Sequence, residues 1–146
     1  MKVLIAYTTR RGSTREVAEK IGEILKSKGM EVNVSNVAEV SDISSYNAAV
    51  IGAPVMRFRF LPPAKKFVKS NKEALSKIPV AYFSLGITMK EDTPKRRERM
   101  MKKLKVVTRQ VEPVDVGLFG GKYQGRDYRD WDKITAWAEG LAEKIK

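Results

Sequence analysis

The sequence predicts an α/β fold, a parallel β-sheet covered by helices on both faces. Three observations carry this. Short apolar runs alternate with amphipathic helical stretches from one end of the chain to the other. The first run, rich in β-branched residues, reads as a strand buried on both faces. The loop that follows it, leading into a helix, has the composition of an anion site.

Lys2-Val3-Leu4-Ile5-Ala6-Tyr7 is the first strand, and the helix after it places Val17, Ile21, Ile24 and Leu25 on one face. Gly29 stands where a left-handed helix stop is expected. Glu31-Val32-Asn33-Val34 alternates as a second strand, and Ala48-Ala49-Val50-Ile51-Gly52 forms a central third strand ending at Ala53-Pro54. Leu61, Ala64, Phe67 and Val68 line the next helix, with Pro62 and Pro63 in its first turn, where a missing N–H breaks no bond. Val80-Ala81-Tyr82-Phe83-Ser84 is the fourth strand. Thr93 then caps a helix that starts at Pro94 and packs Met100, Met101 and Leu104 on the sheet. Val114-Asp115-Val116-Gly117-Leu118-Phe119 is the fifth strand. The last helix shows Trp131, Ile134, Ala138, Leu141 and Ile145 at three- and four-residue steps. With no repeat, low-complexity tract or linker, 1–146 reads as a single domain.

Between the first strand and its helix lies Thr8-Thr9-Arg10-Arg11-Gly12-Ser13-Thr14. Hydroxyls, two arginines, a glycine and the unpaired N–H groups of a helix start together suit a phosphate. The plainer alternative is that Ser13 or Thr14 simply caps the helix. The loop is neither the G-x-G-x-x-G of dinucleotide sites nor the G-x-x-x-x-G-K-[ST] of triphosphatases. In a parallel sheet, ligands bind beyond the carboxyl ends of the strands where strand order switches, which directs attention to Thr8–Thr14, Ala53–Phe60 and Leu85–Thr93.

Composition narrows the chemistry. The chain has 146 residues with neither cysteine nor histidine. That removes thiol nucleophiles, Ser-His-Asp triads, disulfides and the usual zinc ligands, so no metal site is expected and a borrowed cofactor fits best. There is no apolar run long enough to span a bilayer, and the N-terminal one is too short for a signal peptide. Cytoplasmic residence is the expectation.

The stretch Tyr7-Thr8-Thr9-Arg10-Arg11-Gly12-Ser13-Thr14 resembles the FMN phosphate loop of flavodoxins. Ala49-Val50-Ile51-Gly52-Ala53-Pro54 is similar to that family's third strand and flavin-flanking loop, Val80–Ser84 to its fourth strand, and Tyr128-Arg129-Asp130-Trp131 to the start of its last helix. The resemblance covers essentially the whole chain, and within the family it is nearest the short proteins related to menaquinone-dependent protoporphyrinogen oxidase. It implies a flavodoxin-like three-layer α/β/α fold with a five-stranded parallel sheet of order 2-1-3-4-5, and FMN as cofactor. It also implies that Thr9, Arg10, Arg11, Gly12, Ser13 and Thr14 wrap the phosphate. Pro54, Val55, Met56, Arg57 and Phe58 on one side, and Ser84, Leu85, Gly86, Ile87 and Thr88 on the other, then flank the isoalloxazine ring. The flavin carries the chemistry, and no side chain is assigned a catalytic role.

Two departures from flavodoxins bear on function. Between Ala53 and Leu61 there is no Gly, Trp or Tyr, which predicts weak stabilisation of the neutral, half-reduced flavin. The net charge is +12, and Arg10, Arg11, Arg57 and Arg59 near the flavin predict a higher potential than in acidic flavodoxins. Lys95, Arg96, Arg97, Arg99, Lys102 and Lys103 concentrate the excess on one helix. An acidic redox protein, an anionic small substrate or peripheral contact with anionic lipid would each match it, as would a merely solvated face. Aromatic residues do not interleave with these charges, so nucleic acid is not expected.

The expected function is flavin-dependent electron transfer, as carrier or small soluble oxidoreductase. The alternatives are a protoporphyrinogen-oxidase-like dehydrogenase feeding a quinone, and a flavin-free binding module of the same topology. The short interval Gly120–Asp127 before the last helix favours the carrier, because it leaves little to build a quinone or membrane contact. A phosphoacceptor receiver domain is excluded, since Gly52-Ala53 and Thr8-Thr9 stand where it needs acidic residues.

Overall fold

Alternating strand and helix patterns become alternating strands and helices in the computed structural model, which describes residues 1–146. In chain order these are β1 (Lys2–Tyr7), α1 (Ser13–Ser27), β2 (Glu31–Asn36), β3 (Ala48–Met56), β4 (Arg59–Phe60), α2 (Pro62–Ser70), α3 (Lys72–Leu75), β5 (Val80–Leu85), α4 (Pro94–Thr108), β6 (Asp115–Phe119), β7 (Lys122–Tyr123), β8 (Arg126–Asp127) and α5 (Trp131–Lys144). Short 3₁₀ turns occupy Val37–Glu39 and Ile87–Lys90.

The five long strands pair in parallel in the order β2-β1-β3-β5-β6, with β4 attached antiparallel to the end of β3. Counting the parallel strands alone, this is the expected 2-1-3-4-5. The apolar runs are buried on both faces because each face is covered by helices. One side packs Leu4, Ile51, Tyr82 and Leu118 against α2 and α4 through Phe67, Met100 and Leu104. The other packs Ile5, Val50, Phe83 and Phe119 against α1 and α5 through Val17, Ile21, Ile134 and Leu141.

Local signals act where the sequence puts them. The amides of Gly29 and Met30 donate to the carbonyls of Lys26 and Leu25 at 2.9 and 3.2 Å, a Schellman stop with Gly29 at φ +88°. Thr93 Oγ1 accepts from the Arg96 amide at 3.2 Å, and Pro94 opens α4. Three expectations need correction. The third strand does not end at Ala53-Pro54 but runs to Met56, because β4 returns to pair with it. The interval Gly120–Asp127 is not a featureless loop but carries the β7–β8 hairpin, turning through Gln124 and Gly125 at positive φ. Trp131, placed by periodicity on the buried stripe, is 36% exposed at the open end of α5, with the Arg129 guanidinium 4.8 Å from its ring.

Candidate functional site

Strands β1, β3 and β5 are neighbours in register, with Tyr7 beside Gly52 and Ala53 beside Ser84, so their three following loops leave the same edge of the sheet. From β1 the chain goes to β2 on one side and then to β3 on the other. The crevice between those departures lies beside the start of α1.

That start is built without a side-chain cap. Gly12 occupies the capping position at φ +92°, a conformation that costs L-residues about 1 kcal/mol or more. A Cβ there would meet nothing within 4 Å, so conformation and not crowding requires the glycine. Thr9 Oγ1 accepts from the Gly12 amide at 3.0 Å and holds the loop closed. The first helical bond runs from the Glu16 amide to the Gly12 carbonyl at 3.1 Å, leaving the amides of Ser13, Thr14 and Arg15 without an intrahelical acceptor. Ser13 and Thr14 are the first two helical residues, so the capping alternative fails for both. Thr14 is fully buried, yet its Oγ1 has no hydrogen-bond partner. A buried orphan hydroxyl beside free amides at a helix N-terminus is a place for an acceptor that the protein itself does not supply. The residues present therefore fit a bound phosphate, with the exposed Arg10 and Arg11 adding positive charge.

The second loop is a tight hairpin. Met56 pairs with Arg59, and the chain turns through Arg57 at φ +50° and Phe58 at φ +68°. Two successive positive φ values define a type I′ turn, a geometry that Asn-Gly ordinarily supplies. Met56 and Arg57 are exposed, and Phe58 is 82% exposed with the Lys103 ammonium 5.6 Å from its ring centre. Pro54 is buried and Val55 half-buried at the base, where the Pro54 carbonyl accepts from the Leu61 amide at 3.0 Å.

The third loop starts from buried anchors. Ser84 Oγ donates to the Ala53 carbonyl at 2.8 Å, which ties β5 to β3 and fully engages that hydroxyl. Leu85 and Gly86 are buried, the Gly86 amide donating to the Phe119 carbonyl at 3.0 Å. Ile87 is exposed and Thr88 half-buried, so these two offer the loop's accessible surface. Ser84, Leu85 and Gly86 therefore position the loop, while Met56, Arg57, Phe58 and Ile87 are the exposed members of the two flanking loops, with Val55 and Thr88 half-buried.

Two ionic clamps that sequence reading did not single out hold this edge together. Arg129, whose side chain is only 3% exposed, donates from Nε and Nη2 to the Asp127 carboxylate, both at 2.9 Å. Its Nη1 donates to the Ser13 carbonyl at 3.2 Å and to Glu16 at 3.1 Å. The Arg129 fork holds the Asp127 carboxyl below the usual carboxylate range. On the third loop, Asp92 accepts from Arg97 Nε and Nη2 at 2.6 and 2.8 Å and from Lys133 at 2.5 Å, which also lowers its pKa. The Thr88 carbonyl accepts from Arg96 at 3.0 Å. Arg96 and Arg97 are thus engaged within the chain, and the remaining exposed positive charge of α4 rests on Lys95, Arg99, Lys102 and Lys105 with the half-buried Lys103.

The Flavodoxin domain family matches residues 4–138. The chain is 28% identical over 139 residues to the protoporphyrinogen IX dehydrogenase [quinone] of Escherichia coli, covering 92% of this chain and 76% of that protein. Among solved structures, a flavodoxin from the domain Archaea superposes with a TM-score of 0.68 at 20% identity, over 99% of each chain. Flavodoxin 2 from Bacillus cereus gives 0.68 at 23%, also over 99% of each. Sheet order, switch-point loops and family match agree: the chain belongs to the flavodoxin-domain family.

Proposed function

We propose that this flavodoxin-domain protein binds FMN and transfers electrons, with one terminal phosphate held by Thr9–Thr14 and the ring between the loops Pro54–Phe58 and Ser84–Thr88. The observation that carries the reading is Thr14: a fully buried hydroxyl without a partner, in the first turn of a helix whose leading amides are free. A module that binds no anion at this helix start would leave that hydroxyl buried and unpaired with nothing to offset its desolvation. When bound, FMN supplies one- and two-electron chemistry that no side chain of this chain can supply. The protein's own part would be to fix the phosphate at the dipole of α1 and to hold the ring between two anchored loops, with cations nearby. The exposed Arg10, Arg11, Arg57 and Arg59, which follow β1 and β3, would favour the anionic reduced form of a bound flavin and raise its potential.

Identity to the E. coli dehydrogenase over most of the chain supports a second reading, oxidation of a reduced porphyrin with transfer to a quinone. Here the interval before α5 is only the β7–β8 hairpin, with Tyr123 as its exposed apolar side chain. That favours a carrier with an acidic redox partner over a quinone-docking enzyme.

The visible absorption spectrum of the purified protein, repeated after adding FMN and desalting, tests the reading. Retained oxidised-flavin bands are expected. A colourless protein that releases added FMN overturns the assignment. Bleaching of those bands by a reduced porphyrin, followed by recovery on adding a quinone, would favour the dehydrogenase over the carrier.

A further inference from the structure

We propose that the cavity bounded by the β3–β4 turn, α2 and α4 is the docking site of an acidic protein, with Phe58 as its apolar anchor and lysines and arginines as its rim. The proposal deepens the electron-transfer reading and rests on it for the partner's redox role, but the surface itself is argued independently of any flavin. The cavity, about 170 Å³, is lined by the cations Arg59, Lys65, Lys102 and Lys103 and by Phe58, Phe60 and Val106. Among these four cations only Lys102 has a carboxylate partner, Glu98 at 3.8 Å, so the concavity is strongly positive. Arg57 adds a fifth cation from the turn.

Phe58 is unfavourable twice over in the isolated chain. Its ring is 82% exposed, and its backbone sits at φ +68° next to Arg57 at φ +50°. Glycine or asparagine would make the same turn with less strain and no exposed apolar area. A partner that covers the ring removes its exposure, and the strained turn is what presents the ring to it. The Lys103 ammonium near its face holds the ring over α4, beside the cavity. An aromatic anchor in a concave patch with a charged rim is the anatomy of a protein interface. The +12 net charge steers an acidic surface toward it. A bilayer surface would need a continuous apolar face, and α4 exposes lysines and arginines with Val106 as its only large exposed hydrophobe. Single-stranded nucleic acid would need successive stacking rings, and Phe58 is the one exposed ring of this face.

The test is a fluorescence-anisotropy titration of a labelled peptide of glutamate and leucine with the full chain, at two salt concentrations. Wild type is compared with F58A, K102E/K103E and the distal control K26E/K28E, each checked for fold by circular dichroism. F58A is expected to weaken binding about tenfold although it keeps every charge. K102E/K103E should weaken it at least as much, and K26E/K28E by less than about threefold. Wild-type affinity in F58A, or an equal loss in K26E/K28E, overturns the proposal in favour of a diffuse positive field. Tighter, Phe58-dependent binding to phosphatidylglycerol vesicles or to a deoxythymidine oligomer overturns the protein assignment. Flavin absorbance recorded on each variant separates the two readings. Loss of FMN with Phe58-dependent peptide binding fails only the flavin, and retained FMN with Phe58-independent binding fails only the dock.

Discussion

The Arg129 guanidinium donates to the carbonyl of Ser13, 3.2 Å away and 116 residues earlier in the chain. This bond joins the segment leading into α5 to the first residue of α1, whose amide has no intrahelical acceptor. Asp127 and Glu16 take three further bonds, so four of the five N–H donors of a nearly buried charge are satisfied. The effect is to fix the start of α1 and with it the amides of Ser13 and Thr14. Arg129→Met strips both carboxylates and the carbonyl of their donor. Because the carboxylates are half exposed, the loss of stability should be about 1–3 kcal/mol in urea unfolding, short of a wholly buried pair. The FMN dissociation constant, read from quenching of flavin fluorescence, should rise about tenfold. Arg129→Lys keeps the charge without the fork and should recover stability more than affinity. Equal flavin affinity in wild type and Arg129→Met would show that the clamp does not position the loop.

Thr14→Val should act with opposite sign on the empty and the loaded protein. Valine has nearly the same volume and removes the orphan hydroxyl, so the flavin-free protein should gain on the order of 1 kcal/mol. With FMN bound, the lost hydrogen bond to a charged oxygen should weaken affinity by about 1.5–3 kcal/mol, tenfold or more. Chemical unfolding with and without FMN measures both numbers on one protein. A variant destabilised in the absence of flavin would mean that the hydroxyl already has a protein partner.

What could be read in the sequence was what depends on neighbours along the chain. β1, the stripe on α1, the Gly29 stop and the Thr93-Pro94 helix start each follow from residues a turn or a pleat apart, and each stands as expected. The anion loop was legible for the same reason. β4 was not, because Arg57-Phe58 carries no turn chemistry and only its pairing with the end of β3 makes it a strand. Gln124-Gly125 did carry a turn signal that would have located the β7–β8 hairpin. Arg129 and Asp92 were invisible as site elements since their partners lie on other elements. Trp131 was misassigned because helical period places a residue on a face but says nothing of whether sheet lies under the helix's first turn.

The Arg57-Phe58 turn should be improvable. Replacing the pair with Asn-Gly relieves two left-handed L-residues and removes an exposed ring, which should raise stability by about 1–2 kcal/mol in urea unfolding. Docking at the Phe58 cavity should fall in the same variant, so stability and recognition would move in opposite directions. A destabilised Asn-Gly variant would show that the Phe58 ring over Lys103 contributes more than the backbone loses.

Asp92 makes acid sensitivity predictable. Arg97 and Lys133 hold its carboxyl below the ordinary 3.8, first through their hydrogen bonds and then through charge. The folded protein therefore binds this proton less tightly than the unfolded chain does. The stabilisation is complete well above the unfolded value and disappears as pH falls below it toward the folded one. Because the partners are about half exposed, its full size should be only about 1 kcal/mol. Asp92→Asn should accordingly lower the urea midpoint at about pH 7, and the gap from wild type should narrow steadily below about pH 4. Arg97 starts α4, Lys133 starts α5 and Asp92 ends the third loop, so the same variant should loosen the Ile87–Thr88 side of the flavin crevice. Flavin dissociation should quicken at about pH 7 in Asp92→Asn and reach the same rate in wild type only on acidification. A stability gap that stays constant through the acid range would assign the effect to side-chain packing in place of the ionised carboxylate.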